Sequence, residues 1–235
     1  MKLLAHMITS IASEQKEKIH SPIWQAATWA DYERCRDDRN APEYSRYFFH
    51  DGFLLVNVMG WEGIRHAEVN GLFTMILGFW FSLHPEQTAK SLGGCLMEKP
   101  GQQAAAPDLV LYLGDNAPTW TKGEPRRIDL DKWPVPDLVG EVADTTLASD
   151  LDEMKRLYAA LGVPEYWVID VRGRQVLAFQ LQSNGKYQIC ETSAVLAGLP
   201  IVLLEQTLEQ LAESTNITAA AWFMQTISQL IETSK

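Results

Sequence analysis

The sequence predicts an α/β (α+β) fold: a mixed central β-sheet flanked by helices, with helical additions at both ends. Three observations carry that reading. Residues 107–113 and 136–143 are short, continuously apolar runs, each opened by Pro-Asp, as expected of strands buried on both faces. Residues 46–58 show two aromatic and aliphatic runs joined by Asp51-Gly52, a hairpin signal. Between and after these lie stretches with helical spacing, so strands and helices alternate.

The elements follow in order. The first forty or so residues read as helical and polar, with residues 29–34 a short amphipathic piece. Arg46-Tyr47-Phe48-Phe49-His50 and residues 53–58 form the hairpin strands. Residues 63–84 read as a long apolar helix closed by Pro85. After the two Pro-Asp strands, Ser149 is placed to cap a helix, with Asp152 reciprocating. Leu151, Met154, Leu157, Tyr158 and Leu161 recur at three and four, and Gly162 with Pro164 ends that helix. Residues 166–170 are a strand; turns at Arg172-Gly173-Arg174 and Asn184-Gly185 lead into strands at 176–181 and 187–190. From Leu204 the tail reads as one or two helices. The division expected is a helical extension over 1–44, a core over 45–203 and C-terminal helices over 204–235.

The chain has 235 residues, 46% hydrophobic and 21% charged, which suits a soluble domain able to bury a sizeable core without disulfides or metal. Twenty Lys and Arg against thirty Asp and Glu give a formal charge of −10, which excludes a protein coated in positive charge for non-specific nucleic-acid binding. Cys35, Cys95 and Cys190 are far apart, without a C-x-x-C, and read as free thiols of a reducing cytoplasm. No signal peptide is expected at the N-terminus. The apolar stretch at 72–83 is too short for a membrane span, which needs about 20 residues. It is a candidate core helix and equally a candidate homodimer face.

The carboxylates are the chemical signal. Asp disfavours strands and its charge resists burial, yet Asp108 and Asp137 head both apolar runs. Alternation puts Asp137, Val139 and Glu141 on one face. Glu141 lies mid-strand with no basic neighbour in sequence, so burial there calls for a proton, a cation or a metal. Two carboxylates on neighbouring strands can share one hard cation such as Mg²⁺. Lys155 falls near the edge of the apolar face of the following helix, from which its ammonium can lean toward Glu141.

Pro107-Asp108-Leu-Val, Pro136-Asp137-Leu-Val-Gly-Glu141-Val, Asp150…Lys155…Tyr158 and Gly162-Val-Pro-Glu-Tyr-Trp-Val-Ile-Asp170 together resemble the Uma2 family, or DUF820, a set of restriction-endonuclease-like proteins. The resemblance runs from about Arg46 to Val202. It implies the PD-(D/E)xK nuclease fold, a restriction endonuclease-like mixed central sheet with a metal site at its middle strands. Asp108 would be the motif's aspartate and Glu141 its second acid. Ala143 stands where the motif usually carries lysine, and the resemblance implies Lys155 in its place. The family's helical histidine is matched by His66, a possible auxiliary with Asp137. Phe48 stands where relatives usually have glutamate.

The function expected from this is metal-dependent hydrolysis of phosphodiester bonds in DNA by an endonuclease. Asp108, Glu141 and the backbone carbonyl of Val142 would hold Mg²⁺ (or Mn²⁺), and Lys155 would orient the attacking water. Given the acidic surface, DNA would bind weakly without metal, against a patch of Lys122, Arg126 and Arg127 with Arg156 nearer the site. Two other readings stand beside it. One is a catalytically silent binding or regulatory module on the same fold. The other is a carboxylate-pair hydrolase for a small substrate.

Overall fold

The computed structural model of the protein describes residues 23–42, 45–58 and 63–233. Most of the expected N-terminal extension falls outside them. The described elements begin with β1 (Gln25–Ala26), α1 (Trp29–Arg36), β2 (Ser45–His50), β3 (Phe53–Val58) and α2 (Ile64–Leu83). Short strands follow: β4 (Ala89–Leu92), β5 (Met97–Lys99), β6 (Gln103–Ala105), β7 (Leu109–Leu113) and β8 (Ile128–Asp129). Next come β9 (Leu138–Ala143), a helical rod, β10 (Glu165–Asp170), β11 (Gln175–Leu181), β12 (Tyr187–Ile189), and two C-terminal helices. The rod comprises α3 (Leu147–Ser149), a π-helical turn (Asp150–Met154) and α4 (Lys155–Leu161); the C-terminal helices are α5 (Ile201–Glu213) and α6 (Asn216–Thr233).

These build a mixed α+β architecture. The strands form two sheets rather than the single one expected, in the orders β1-β3-β2-β6-β5-β8 and β12-β11-β10-β9-β7-β4. In the second sheet β9 and β10 run parallel and the other neighbours antiparallel. The Pro-Asp strands β9 and β7 are interior, as their unbroken hydrophobicity requires; all six residues of β9 are buried. Gly140 suits this close packing, because a Cβ there would lie 3.2 Å from Leu109 Cδ1 and the leucine would have to shift.

One face of the second sheet is covered by α2, α5 and α6. Leu109, Leu138, Val142 and Trp167 meet Leu72, Phe73, Leu204 and Phe223 in a common core. The apolar helix contributes to the interior of the chain: Leu72, Phe73 and Ile76 are fully buried, while Thr74, Gly78 and Ser82 are exposed. Its hydrophobicity on all sides follows from being sandwiched between the sheet and α6. Because Leu204, Leu208, Phe223 and Ile227 belong to that core, the expected boundary at 204 cuts through α5 and an integral layer. The opposite face carries the first sheet and the rod, where Val110, Val139 and Tyr166 pack with Phe48, Leu55, Met97, Leu157 and Tyr158.

Local chemistry explains the hairpin and the rod. Asp51 and Gly52 adopt φ of 49° and 75°, the left-handed pair of a tight two-residue turn whose twist matches the strands. The rod starts earlier than expected: Thr146 holds the cap position, and Ser149 lies inside the helix with no capping bond. Helix α1 is anchored by Glu98 of β5, which accepts from the Tyr32 hydroxyl and from Arg36 Nη1 at 2.7 Å and pairs with Arg127 Nε at 2.7 Å. Tyr32, Tyr47 and Phe49 form a small core beneath it, so the expected boundary at 44/45 passes between a helix and the strand it packs on.

Candidate active site

Asp108 immediately precedes β7, on the sheet face shared with Val110, and Glu141 lies on the same face of the neighbouring β9. The β7–β9 register ends at Leu109↔Gly140, leaving the following residues of β9 without a strand on that side. The Asp108 carboxylate fills the gap: Oδ2 accepts from the Val142 N–H at 2.8 Å. In an extended strand a residue's N–H and C=O leave the same edge. The Val142 carbonyl therefore faces the Asp108 edge, while Ala143 bonds across to Val171 on the β10 side.

Two further elements converge on Asp108. Arg46 Nη1 of β2 donates to Oδ1, and His66 Nε2, in the first turns of α2, lies 3.0 Å from Oδ2. Glu141 accepts from the Tyr158 hydroxyl of α4. A third acid joins them. Asp150, at the head of the π-helical turn, is buried and accepts from Thr146 Oγ1 at 2.6 Å, while its carbonyl accepts from the Tyr166 hydroxyl at 2.9 Å. Tyr158 and Tyr166 pack ring to ring at 4.9 Å, fixing the rod against the sheet.

The electrostatics follow from this crowding. Burial pushes the Asp108 carboxyl up, but the His66 bond, the Arg46 charge and the Val142 N–H outweigh it and hold the group below its ordinary value. Glu141 is pushed well above the usual carboxylate range by burial first, then by the charges of Asp108 and Asp150. Asp150 is raised to about 7, chiefly by burial, with Asp108 adding and the Thr146 bond opposing. Among the described residues three acids thus meet one arginine and one histidine, and burial favours protons on Glu141 and Asp150 unless a cation enters the cluster.

That imbalance fits a hard divalent ion. Two carboxylates and a carbonyl, Asp108, Glu141 and Val142, are oxygen donors of the kind Mg²⁺ takes while keeping several waters. Among the described residues no group of three or more His, Cys, Asp or Glu stands in a metal-holding arrangement; the two-carboxylate set is smaller than that.

Of the residues expected at the site, Asp108, Glu141, Val142 and His66 are brought together. Asp137 is not: it lies at the other end of β9, where its carboxylate accepts from the Leu113 N–H at 2.7 Å and fastens the β7–β9 pair. Lys155 is not brought to the acids either. Its Nζ sits 3.6 Å from the centroid of Phe179, across Tyr166 from β9 in the sheet register, while the Tyr158 hydroxyl donates to Glu141. Arg127 is bound to Glu98, Arg156 pairs with Asp152 at 2.7 Å, Arg126 lies over Trp120, and Lys122 is exposed.

The sequence reading missed Arg46 and Asp150. Nothing in local spacing ties Arg46 to an acid 62 residues away. Asp150 did carry a signal, since it stands four residues before Met154 on the apolar face of the rod. No helix among the described residues is long and apolar enough to cross a membrane.

Known proteins similar to this chain are few among those compared. A solved structure described as "a putative nuclease belonging to DUF820", from Anabaena variabilis ATCC 29413, is 16% identical, with a TM-score of 0.49, covering 77% of this chain and 98% of that one. No curated protein matches the chain. The model of the Uma2 family, described as "Putative restriction endonuclease", matches residues 29–219. The chain belongs to the Uma2 family.

Proposed function

We propose that the protein is a divalent-metal-dependent endonuclease of the PD-(D/E)xK type, hydrolysing phosphodiester bonds in DNA at the Asp108–Glu141 cluster. The observation that carries this reading is the pair of buried carboxylates on one face of neighbouring interior strands, short of positive charge and beside the Val142 carbonyl. Asp108, Glu141 and that carbonyl would hold Mg²⁺ or Mn²⁺, which supplies a Lewis acid for the phosphodiester and a bound water of lowered pKa.

The chain's own residues prepare the acids. His66 and Arg46 hold Asp108 ionised and oriented by binding one oxygen each. The Tyr158 hydroxyl fixes Glu141 Oε1. Buried aromatic rings of Tyr158 and Tyr166 keep bulk water from the strand side of the cluster. Lys155 remains the assigned cation for orienting the attacking water and offsetting charge on the phosphorane-like transition state. It must leave Phe179 to do so, which its four-carbon stem permits.

Plasmid nicking in Mg²⁺ or Mn²⁺ tests the assignment. Glu141→Gln keeps the shape and removes the charge, and is expected to lower the rate at least ~100-fold. Nicking by this variant at the native rate would refute the site. The seat of Lys155 on Phe179 favours a second reading, a catalytically silent nuclease-fold module that binds without cutting. Absence of cleavage by the native protein across divalent metals would select it.

A further inference from the structure

A groove of about 870 Å³ opens beside β4 and β8, away from the contacts that fix the acid cluster. Its chemistry departs from the rest of the surface. Lys90, Arg126, Arg127 and Lys132 face Glu124 and Asp129, so four cations meet two acids for a local +2 in a chain of −10. Trp120 stands in this groove 56% exposed, its ring anchored by Nε1 donating to the Glu124 carbonyl at 3.0 Å. The Arg126 guanidinium lies 5.8 Å from the Trp120 centroid and makes no ion pair among the described residues. Not every cation is equally available: Arg127 is bound to Glu98, Lys90 donates to the Pro118 carbonyl at 2.9 Å, and Lys132 lies 3.9 Å from Asp129.

An exposed, anchored indole beside an unpaired guanidinium is what recognises a nucleobase and its phosphate together. A single strand offers both groups, while a duplex keeps its base faces stacked inside. The groove also leads somewhere. Its wall includes Leu92 and Cys95, which flank Gly93 and Gly94. Gly94 N–H donates to the Pro107 carbonyl at 3.1 Å, and a Cβ on Gly93 would lie 3.1 Å from the Asp108 carbonyl, so the wall adjoins the backbone of the first acid.

We propose that this groove holds a single-stranded nucleic acid segment, with a base stacked on Trp120 and phosphate on Arg126 and Lys132, next to the Asp108 cluster. That the strand is held there for cleavage rests on the nuclease reading above; that it binds does not.

Binding is measured by fluorescence anisotropy of a labelled oligothymidylate in EDTA, where a metal-dependent nuclease is silent. Trp120→Ala is expected to weaken binding about 5- to 140-fold, the ~1–3 kcal/mol of a stacked base converted at 1.4 kcal/mol per tenfold. Trp120→Phe should restore most of it, and Arg126→Glu should weaken binding and flatten its salt dependence. Both side chains are exposed, so neither change threatens folding. Equal affinity in native protein and Trp120→Ala would overturn the proposal. So would thymidine monophosphate competing as well as the oligomer, or duplex DNA losing affinity in parallel. Plasmid nicking separates the two readings. Trp120-dependent binding by a protein that cuts nothing keeps the groove and removes the nuclease. Cleavage with Trp120-independent binding does the reverse.

Discussion

Asp150 offers the sharpest test of the site's electrostatics, because it contributes a strong perturbation without a place in the ligand set assigned above. Its pKa stands at about 7 in the folded protein against an ordinary value of 3.8. A carboxyl whose folded pKa is raised prefers its proton when folded. The stability this confers is fully present below the unfolded pKa and is lost as pH rises through the folded one. At 1.36 kcal/mol per unit, the loss amounts to about 4 kcal/mol, developing between about pH 4 and pH 7. Asp108, Glu141, Glu153 and His66 all act on the group electrostatically, so the measurement must be a difference. Asp150→Asn keeps an acceptor for Thr146 Oγ1 and removes the ionisation. Urea unfolding of both proteins in EDTA, at intervals from pH 4 to pH 8, should show the variant gaining on the native protein by about 4 kcal/mol across that range. Parallel stability curves would refute the reasoning, since they would mean that Asp150 costs nothing to ionise where it sits. Added Mg²⁺ should shrink the difference, because a cation beside Asp108 lowers the neighbouring carboxyls.

Three further outcomes follow from the same structure. Lys155→Met loses only a cation–π contact on Phe179, about 1 kcal/mol in a thermal melt, but should reduce plasmid nicking ~100-fold or more; nicking at the native rate would remove the lysine from the mechanism. Gly140→Ala forces a methyl against Leu109 Cδ1 at 3.2 Å between interior strands and should cost about 1–3 kcal/mol in urea unfolding, with an unchanged midpoint counting against the close approach. Glu165 is fully buried and accepts from Trp167 Nε1 at 2.6 Å and from the Ala194 and Val195 N–H groups at 2.8 and 2.9 Å. Glu165→Ala strands three donors and should destabilise by about 3 kcal/mol or more; a loss below 1 kcal/mol in urea unfolding would show those donors rehydrated.

The features that were legible are those whose signal is local and long. The Asp51-Gly52 hairpin, the apolar helix ending before Pro85, and strands β7, β9 and β10 all lie within a residue or two of their expected bounds. The first sheet was not legible as a separate sheet, because β5, β6 and β8 have two or three residues each, too few for any alternation to register. At the site, Asp108 and Glu141 stood out because a charge in an apolar strand is costly wherever it occurs. Arg46 did not, since an arginine opening a strand is unremarkable until the fold carries it to Asp108. The wrong cap at Ser149 has a physical reason too: the π-helical turn adds a residue to the rod, shifting where it begins relative to a regular helix. Lys155 was projected from helical angle alone, which cannot see that its ammonium seats over Phe179 while Tyr158 donates to Glu141.

The anchor at Glu98 bears on how this protein can be cut. Tyr32 and Arg36 of α1, Glu98 of β5 and Arg127 of the loop before β8 meet at one buried carboxylate, drawing together segments spread over nearly a hundred residues of chain. A version trimmed to start at residue 45 would discard the tyrosine and one arginine and leave an interior charge with a single counter-ion, a change of the kind that costs about 3–5 kcal/mol. The same trimming would loosen Arg127 in the wall of the Trp120 groove. The segment that looks most disposable in the sequence is therefore a clasp on both the fold and the Trp120 groove.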